Sequence, residues 1–175
     1  MKKIMLCLLT LWAIVAFSGC SEDILDYNNP DVRLFVKQLK AGTYNTKGPL
    51  GLVEVPLFDS EDIPELLQHS ADLTKIYSFP LPSVSSIGGG EARLGECMLW
   101  IVETIRRGQS ASLGCKLVHA DADNYEGIYF LSDQEVLKAC ELYQKWWKEV
   151  ENPSPSSSVD PYSANPLKNS NYRWW

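Results

Sequence analysis

Paired metal ligands and catalytic motifs are scarce in this chain of 175 residues. It contains two histidines, His69 and His119, and neither a C-x-x-C nor an H-E-x-x-H motif. A structural zinc site needs Cys and His ligands at short spacing. The serine elbow G-x-S-x-G is lacking too, because its nearest match, residues 108–112 (GQSAS), misses the last glycine. We therefore predict no catalytic residues, no metal and no cofactor, with each histidine a surface or cap residue.

An excess of basic charge is also absent. The chain has 16 basic and 22 acidic residues, for a formal net charge of −6. Removal of residues 1–19 would take away Lys2 and Lys3 and no acidic residue, which lowers the charge to −8. Such a chain lacks the positive surface that contacts a phosphate backbone, so we expect no nucleic-acid partner.

The hydrophobic run at the N-terminus is too short to span a membrane. Residues 4–17 are apolar apart from Thr10, and they follow two lysines. As a helix this run is about 21 Å long, whereas the hydrocarbon core of a bilayer is roughly 30 Å thick. The run therefore predicts an export signal.

The run ends on Phe17, Ser18, Gly19 and Cys20. Small residues directly before a cysteine resemble the lipobox of bacterial lipoproteins. The resemblance implies a diacylglycerol thioether on the Cys20 sulfur, cleavage before this residue and acylation, for example by palmitate, of the new amine. The bilayer would then be a partner of the protein through acylated Cys20. The alternative is an ordinary secretory peptide with an incidental cysteine.

Residues 21–23 (SED) follow the predicted lipidation site. Acidic residues here resemble the surface-export signal of Bacteroidetes lipoproteins, and Ser21 differs from the aspartate that retains many lipoproteins in the inner membrane. We predict an outer-membrane location, and the resemblance to the export signal favours the cell-surface side; the alternative is a solvated start of a tether. The predicted organisation is a signal peptide at 1–19, a lipidated tether at 20–28, a helical domain at 29–151, and a Pro/Ser-rich linker with an aromatic tail at 152–175.

Apolar residues at helical spacing predict a mainly α, single-domain fold with long irregular loops and at most one short strand pair. Residues 52–55 could form a short strand or an extended loop, because Pro49 and Pro56 flank them. Residues 109–130 give no firm secondary structure. The two terminal tryptophans favour a tail that folds back onto the domain. The predicted helices, with their caps, are 29–42 (cap Asn29, stop Gly42), 62–70 (capping box Asp62 and Glu65), 91–107 (stop Gly108) and 132–149 (capping box Ser132 and Glu135).

Three cysteines remain in the predicted domain: Cys97, Cys115 and Cys140. Cys97 and Cys140 fall on apolar helix faces, where cysteine behaves as a small hydrophobic residue. Free thiols are the first interpretation, and a Cys97–Cys140 disulfide is the alternative.

Two loops invite a ligand interpretation. Asp121, Asp123 and Glu126 are oxygen donors of the kind that calcium prefers, but the EF-hand pattern fails and a solvated turn is favoured. Residues 88–90 (GGG) precede a helix and could hold an anion. Without a following lysine-serine pair, a hinge is the better interpretation.

Three segments, EDIPELLQHSADLTKIYSFPLP (61–82), LGECMLWIVETIR (94–106) and ACELYQKWW (139–147), occur in this order. Together they resemble an uncharacterised family of Bacteroidetes lipoproteins known as a domain of unknown function. The resemblance implies a small helical domain on a lipid tether and carries no functional residues.

Two hypotheses on function remain. The first is an outer-membrane lipoprotein with a non-catalytic interaction or accessory domain. The alternative is a glycan-binding, or glycan- or peptide-processing, surface lipoprotein that uses Glu96 and Glu103 as an acid pair, about 10 Å apart along one helix. A structural role in the core is the favoured interpretation of the aromatic residues, but some could be exposed for stacking on sugars: Trp100, Tyr125, Tyr129, Tyr143, Trp146, Trp147, Trp174 and Trp175.

Overall fold

The computed structural model describes residues 24–81, 92–121, 130–153 and 160–175. The predicted signal peptide, Cys20, the glycines at 88–90, and Asp123 and Glu126 lie outside these ranges. The described residues form a mainly α domain, as predicted. Its helices are α1 (Val32–Ala41), α2 (Ile63–Gln68), α3 (Leu94–Arg107) and α4 (Asp133–Glu151), followed by a 3₁₀ turn at Pro161–Ser163.

Two short antiparallel strand pairs complete the described fold, where at most one was predicted. Strands β1 (Lys75–Ile76) and β2 (Ala92–Arg93) form one pair, and β3 (Leu117–His119) and β4 (Tyr172–Trp174) form the other. β3 lies in the segment that gave no firm prediction, because three residues are too few to show a strand period. Residues 52–55 are an extended loop and not a strand; Val53 forms an isolated antiparallel bridge with Lys47.

Local sequence fixes most helix ends. Helix α1 is capped by Asp31, whose carboxylate accepts from the Leu34 N–H at 2.7 Å, so the predicted cap at Asn29 was wrong by two residues. Gly42 ends α1 and Gly108 ends α3, each in a left-handed conformation that favours glycine. The capping box of Ser132 and Glu135 at α4 is confirmed.

The predicted capping box of α2 was wrong. The Asp62 carboxylate accepts from the Asp59 N–H at 2.9 Å and makes no cap to its own helix. Glu65, the other half of the box, reaches across to Arg33 on α1. A local contact with the preceding turn has therefore taken Asp62, and a tertiary contact has taken Glu65, away from the helix end.

Helix α3 is the centre of the fold. Its residues from Leu94 to Glu103 are all buried, in agreement with an apolar stripe that covers almost the whole circumference. The segment that follows α2 passes closely over Gly95, where an added Cβ would lie 2.1 Å from the backbone oxygen of Ser70. No other residue type fits this crossing without a shift of the backbone.

The C-terminal tail folds back onto the helical domain. β4 pairs with β3 in the register Leu117 to Trp174, and the Trp175 N–H donates to the Lys116 carbonyl at 3.1 Å. The Trp146 indole N–H donates to the Pro161 carbonyl at 3.0 Å. The described part of the tail is thus packed against α4 and the α3–β3 segment. A search of the described helices finds none with the length and hydropathy of a membrane span.

Candidate functional site

The first carboxylate of the predicted acid pair, Glu96, is enclosed within the fold. It is 2% exposed. One oxygen accepts from the Arg93 guanidinium at 2.9 Å, and the other accepts from the Leu117 N–H at 3.0 Å. Burial raises the pKa of Glu96, although these donors act in the opposite direction. Glu96 therefore joins α3 to β3 and is not presented to a substrate.

The second carboxylate, Glu103, is the centre of a buried hydrogen-bonded cluster. Arg106 binds both of its oxygens, at 2.6 and 2.8 Å, and the Tyr143 hydroxyl donates to it at 2.9 Å. The Trp174 indole N–H donates in turn to the Tyr143 hydroxyl at 2.9 Å. We call Glu103, Arg106, Tyr143 and Trp174 the Glu103 network. With both carboxylates buried and ion-paired, the acid-pair hypothesis has no accessible acid to act on a glycan.

The contacts described for the two histidines and for Ser112 do not pair a serine hydroxyl with an imidazole. The His119 Nε2 lies 3.3 Å from a Glu135 oxygen, and His69 ends α2. Ser112 accepts from the Trp100 indole N–H at 3.1 Å and donates to the Gly114 carbonyl. Within 24–81, 92–121, 130–153 and 160–175, no three His, Cys, Asp or Glu side chains are grouped as metal ligands.

In this structure Cys97, Cys115 and Cys140 are free thiols, as first predicted, but their neighbours differ from the expected ones. The Cys97 sulfur lies 3.6 Å from the Cys115 sulfur. The Cys140 sulfur lies 2.8 Å from the Ser70 hydroxyl oxygen. The alternative of a Cys97–Cys140 disulfide was therefore wrong, because the two side chains point to different partners.

The alternative of a sugar-stacking surface gains no support from the described rings, which pack within the fold as the sequence favoured. Trp100, Tyr143 and Trp146 are buried, and Tyr125 and Tyr129 lie outside the described residues. Trp146 and Trp147 pack together with ring centroids 5.6 Å apart. The exposed rings of the described chain include Tyr77 and Phe130, which come from separate segments.

An apolar groove runs along the other side of α3. Its floor contains Trp100 and Ile101, which are buried, and its exposed rim contains Leu52, Val53 and Leu57. The groove has a volume of about 380 Å³, within the size range of small-molecule sites. The other lining residues are Glu54, Val55, Pro56, Phe58, Pro80, Leu81, Thr104, Ile105 and Ser110.

The walls of the groove are held by contacts behind them. The Leu57 N–H donates to the Tyr27 carbonyl at 3.0 Å, and the Tyr44 hydroxyl donates to the Glu54 carbonyl. Edge-to-face ring contacts join Phe35 to Phe58, with centroids 5.2 Å apart. The groove is therefore a formed feature of the fold and not a gap between loose loops.

The chemistry of the groove favours a neutral apolar ligand. Glu54 is the one titratable residue among its described lining, and its carboxylate accepts from the Tyr27 hydroxyl at 3.3 Å. Thr104 accepts from the Ala111 N–H at 3.2 Å, which leaves the Ser110 hydroxyl as a polar group at the edge. Sequence reasoning missed the groove because its lining comes from the separate segments 52–58, 80–81 and 100–110. The one indication was the loop at 52–55, which Pro49 and Pro56 flank.

Comparison with known proteins gives one finding and two negative results. A family model described as a domain of unknown function, DUF4943, matches residues 26–175. Neither the curated proteins nor the solved structures give a significant match. Since the match covers most of the sequence, the chain belongs to the family of the domain of unknown function DUF4943.

Proposed function

We propose that this protein is an outer-membrane lipoprotein, attached to the bilayer through acylated Cys20, whose helical domain is a non-catalytic binding module. The lipobox-like residues 17–20 support the anchor. The ion-paired burial of Glu96 and Glu103 supports a domain that binds without chemistry. The acidic residues behind Cys20 support the outer membrane as its location.

The observation that carries the binding role is the apolar groove beside α3. Its lining suits a neutral acyl chain better than a sugar or a phosphate, which would need several polar or cationic side chains. The hydrogen bond from Leu57 to Tyr27 places the groove rim beside the N-terminal segment. Seven residues separate Tyr27 from Cys20, a reach of at most ~24 Å. A bilayer that holds Cys20 would therefore be a nearby source of acyl chains.

Glycan binding is the alternative, and it has less support. Sugar sites use exposed rings next to hydrogen-bonding side chains. The ring-bearing part of the groove, Trp100 and Phe58, is accompanied by aliphatic residues and by two hydroxyls. A soluble glycan is therefore the comparison ligand in the test below.

The anchor is tested by Cys20→Ser, with Cys7→Ser as the matched control inside the same leader sequence. We expect Cys20→Ser to lose diacylglycerol labelling and to leave the outer-membrane fraction, whereas Cys7→Ser keeps both. The measurement is metabolic labelling with a fatty acid, followed by fractionation and mass analysis. Undiminished labelling of Cys20→Ser would refute the anchor.

The groove is tested on the acyl-free fragment 24–175 with a fluorescent monoacylglycerol. Leu57→Ser removes an apolar rim residue and should weaken binding about fivefold. A bound acyl chain would partly cover the Leu57 side chain, which contributes about 1 kcal/mol to the binding free energy. Leu50→Ser is the control, because Leu50 is 83% exposed and lies outside the lining. Saturable binding of a glycan in place of the acyl ester, or equal losses in both variants, would refute the acyl-chain proposal.

A further inference from the structure

The pair Cys97 and Cys115 has no part in the groove or in the Glu103 network. Both side chains are buried, at 0% and 2% exposure, and their sulfurs lie 3.6 Å apart. Cys97 is on the central helix α3, and Cys115 precedes β3. Two thiols in contact at the centre of a domain are the feature that the proposed function leaves unexplained.

Hydrogen bonds on both sides hold this contact in register. The Leu117 N–H donates to Glu96, the residue before Cys97, at 3.0 Å. On the other side, the Trp100 indole N–H donates to the Ser112 hydroxyl at 3.1 Å. The segment 112–117 is therefore fixed to α3 at two points that flank Cys115. A disulfide needs a sulfur separation of about 2.05 Å, so the two sulfurs must approach by about 1.5 Å from their present contact.

We propose that Cys97 and Cys115 form a structural disulfide in the exported protein. The two S–H bonds are replaced by one S–S bond, and two protons and two electrons pass to a disulfide oxidant, such as a thiol-disulfide oxidoreductase of the envelope, which becomes a dithiol. This proposal rests on the proposed export, because disulfides persist outside the reducing cytosol. The bond would fasten the segment before β3, and through β3 the tail strand β4, to α3.

The structure also indicates when the bond would form. Burial raises the pKa of the Cys97 thiol, and the thiolate is the reactive form. The folded, reduced pair should therefore react slowly, and the bond should form as the exported chain folds.

Cys140 provides an internal control. It is equally buried, but its sulfur contacts Ser70 and Gln144 and no second sulfur. It should stay a free thiol under every condition that oxidises the other two. The expected pattern is therefore oxidation of Cys97 and Cys115 with Cys140 left as a thiol, whereas general oxidation would affect all three.

Cells are treated with a thiol-alkylating agent before lysis, and the full-length protein extracted from their membranes is denatured in the same agent so that buried free thiols also react. Non-reducing peptide mapping should show the Cys97 and Cys115 peptides linked and the Cys140 peptide alkylated. Reduction should lower the Tm by about 5–10 °C, since the bond closes a loop of moderate length. In Cys115→Ala reduction should leave the Tm unchanged, and in Cys140→Ala the decrease should remain.

A second arm separates this proposal from the proposed export. The full chain carrying Cys7→Ser and Cys20→Ser is unfolded, reduced and refolded in a mixture of oxidised and reduced glutathione. A Cys97–Cys115 bond in this arm but not in cells would refute export and retain the pairing. Alkylation of Cys97 and Cys115 to the same extent as Cys140 in both arms would overturn the disulfide.

Discussion

The two sides of α3 differ in polarity and in exposure: one carries the buried Glu103 network and the other carries the open apolar groove. Glu103 faces the Glu103 network, where every oxygen of a buried charge has a donor and the C-terminal tail covers it. Thr104, the next residue, lines the apolar groove, whose rim is exposed and whose one charged residue in the described lining is Glu54. One helix thus presents a closed polar cluster on one side and an open apolar surface on the other. The Glu103 network stabilises the fold. The apolar groove is not closed by such a network, so it can take a ligand.

The largest expected effect is on the closed side. Glu103→Gln would leave the Arg106 guanidinium buried without its counter-charge, because the Arg106 side chain is 10% exposed. We expect a loss of about 3 kcal/mol in the free energy of unfolding, measured by urea denaturation of the fragment 24–175.

The matched control is Glu65→Gln, which breaks the exposed pair with Arg33, where the arginine side chain is 80% exposed. Its loss should be under about 1 kcal/mol. Equal losses in the two variants would show that the Glu103 network is not the stabilising side of the comparison.

A smaller effect is expected from Tyr143→Phe. The change removes the hydroxyl that links Glu103 to Trp174 and leaves the ring in place. The free energy of unfolding should fall by about 1–2 kcal/mol, and the Trp174 fluorescence should change because its indole N–H loses its acceptor. Tyr77→Phe, at an exposed ring, should be neutral within about 0.5 kcal/mol; similar losses in both would contradict the prediction.

Glu96 gives a prediction on how the free energy of unfolding depends on pH. Burial raises its folded pKa above the unfolded value, so the folded state binds the proton more readily. As pH falls through the folded pKa towards the unfolded value, wild type should therefore gain stability relative to Glu96→Gln. Urea denaturation of both proteins at a series of pH values measures this difference. A difference that stays constant, or that changes in the opposite direction, would contradict the burial argument.

The smallest effect on stability belongs to the open side. Leu57→Ser changes a rim residue that is 56% exposed, so the free energy of unfolding should stay within about 0.5 kcal/mol of wild type while acyl-ester binding weakens. The two quantities are measured on the same preparation by urea denaturation and by fluorescence titration. A loss of stability as large as that of Glu103→Gln would mean that the rim is part of the core.

Local sequence was sufficient where the determinant is local. The glycines Gly42 and Gly108 and the box of Ser132 with Glu135 specify helix ends through contacts within a few residues. Cap residues were mistaken where a distant partner competes, as Arg33 does for Glu65. The pattern of polar residues along the sequence does not show that Arg33 would bind Glu65.

The features of the site depend on contacts between residues that are far apart in the sequence, and a single sequence does not show which residues make them. Glu96 and Glu103 were the alternative acid pair because they share one helix, but Arg93, Arg106 and Tyr143 bind their carboxylates inside the fold. The partner of Cys97 could not be chosen from the sequence, since Cys115 lies in a segment without a recognisable period. The groove likewise exists only when residues 52–58 pack beside α3.

The most direct measurement is a methyl NMR titration of the fragment 24–175, labelled at isoleucine, with a neutral monoacylglycerol. The groove isoleucines Ile101 and Ile105 should shift saturably with the dissociation constant found by fluorescence. Ile63 and Ile76, which are buried outside the groove lining, should keep their positions. Shifts of equal size at all four methyl groups, or none that saturate, would contradict the proposal that this groove binds an acyl chain.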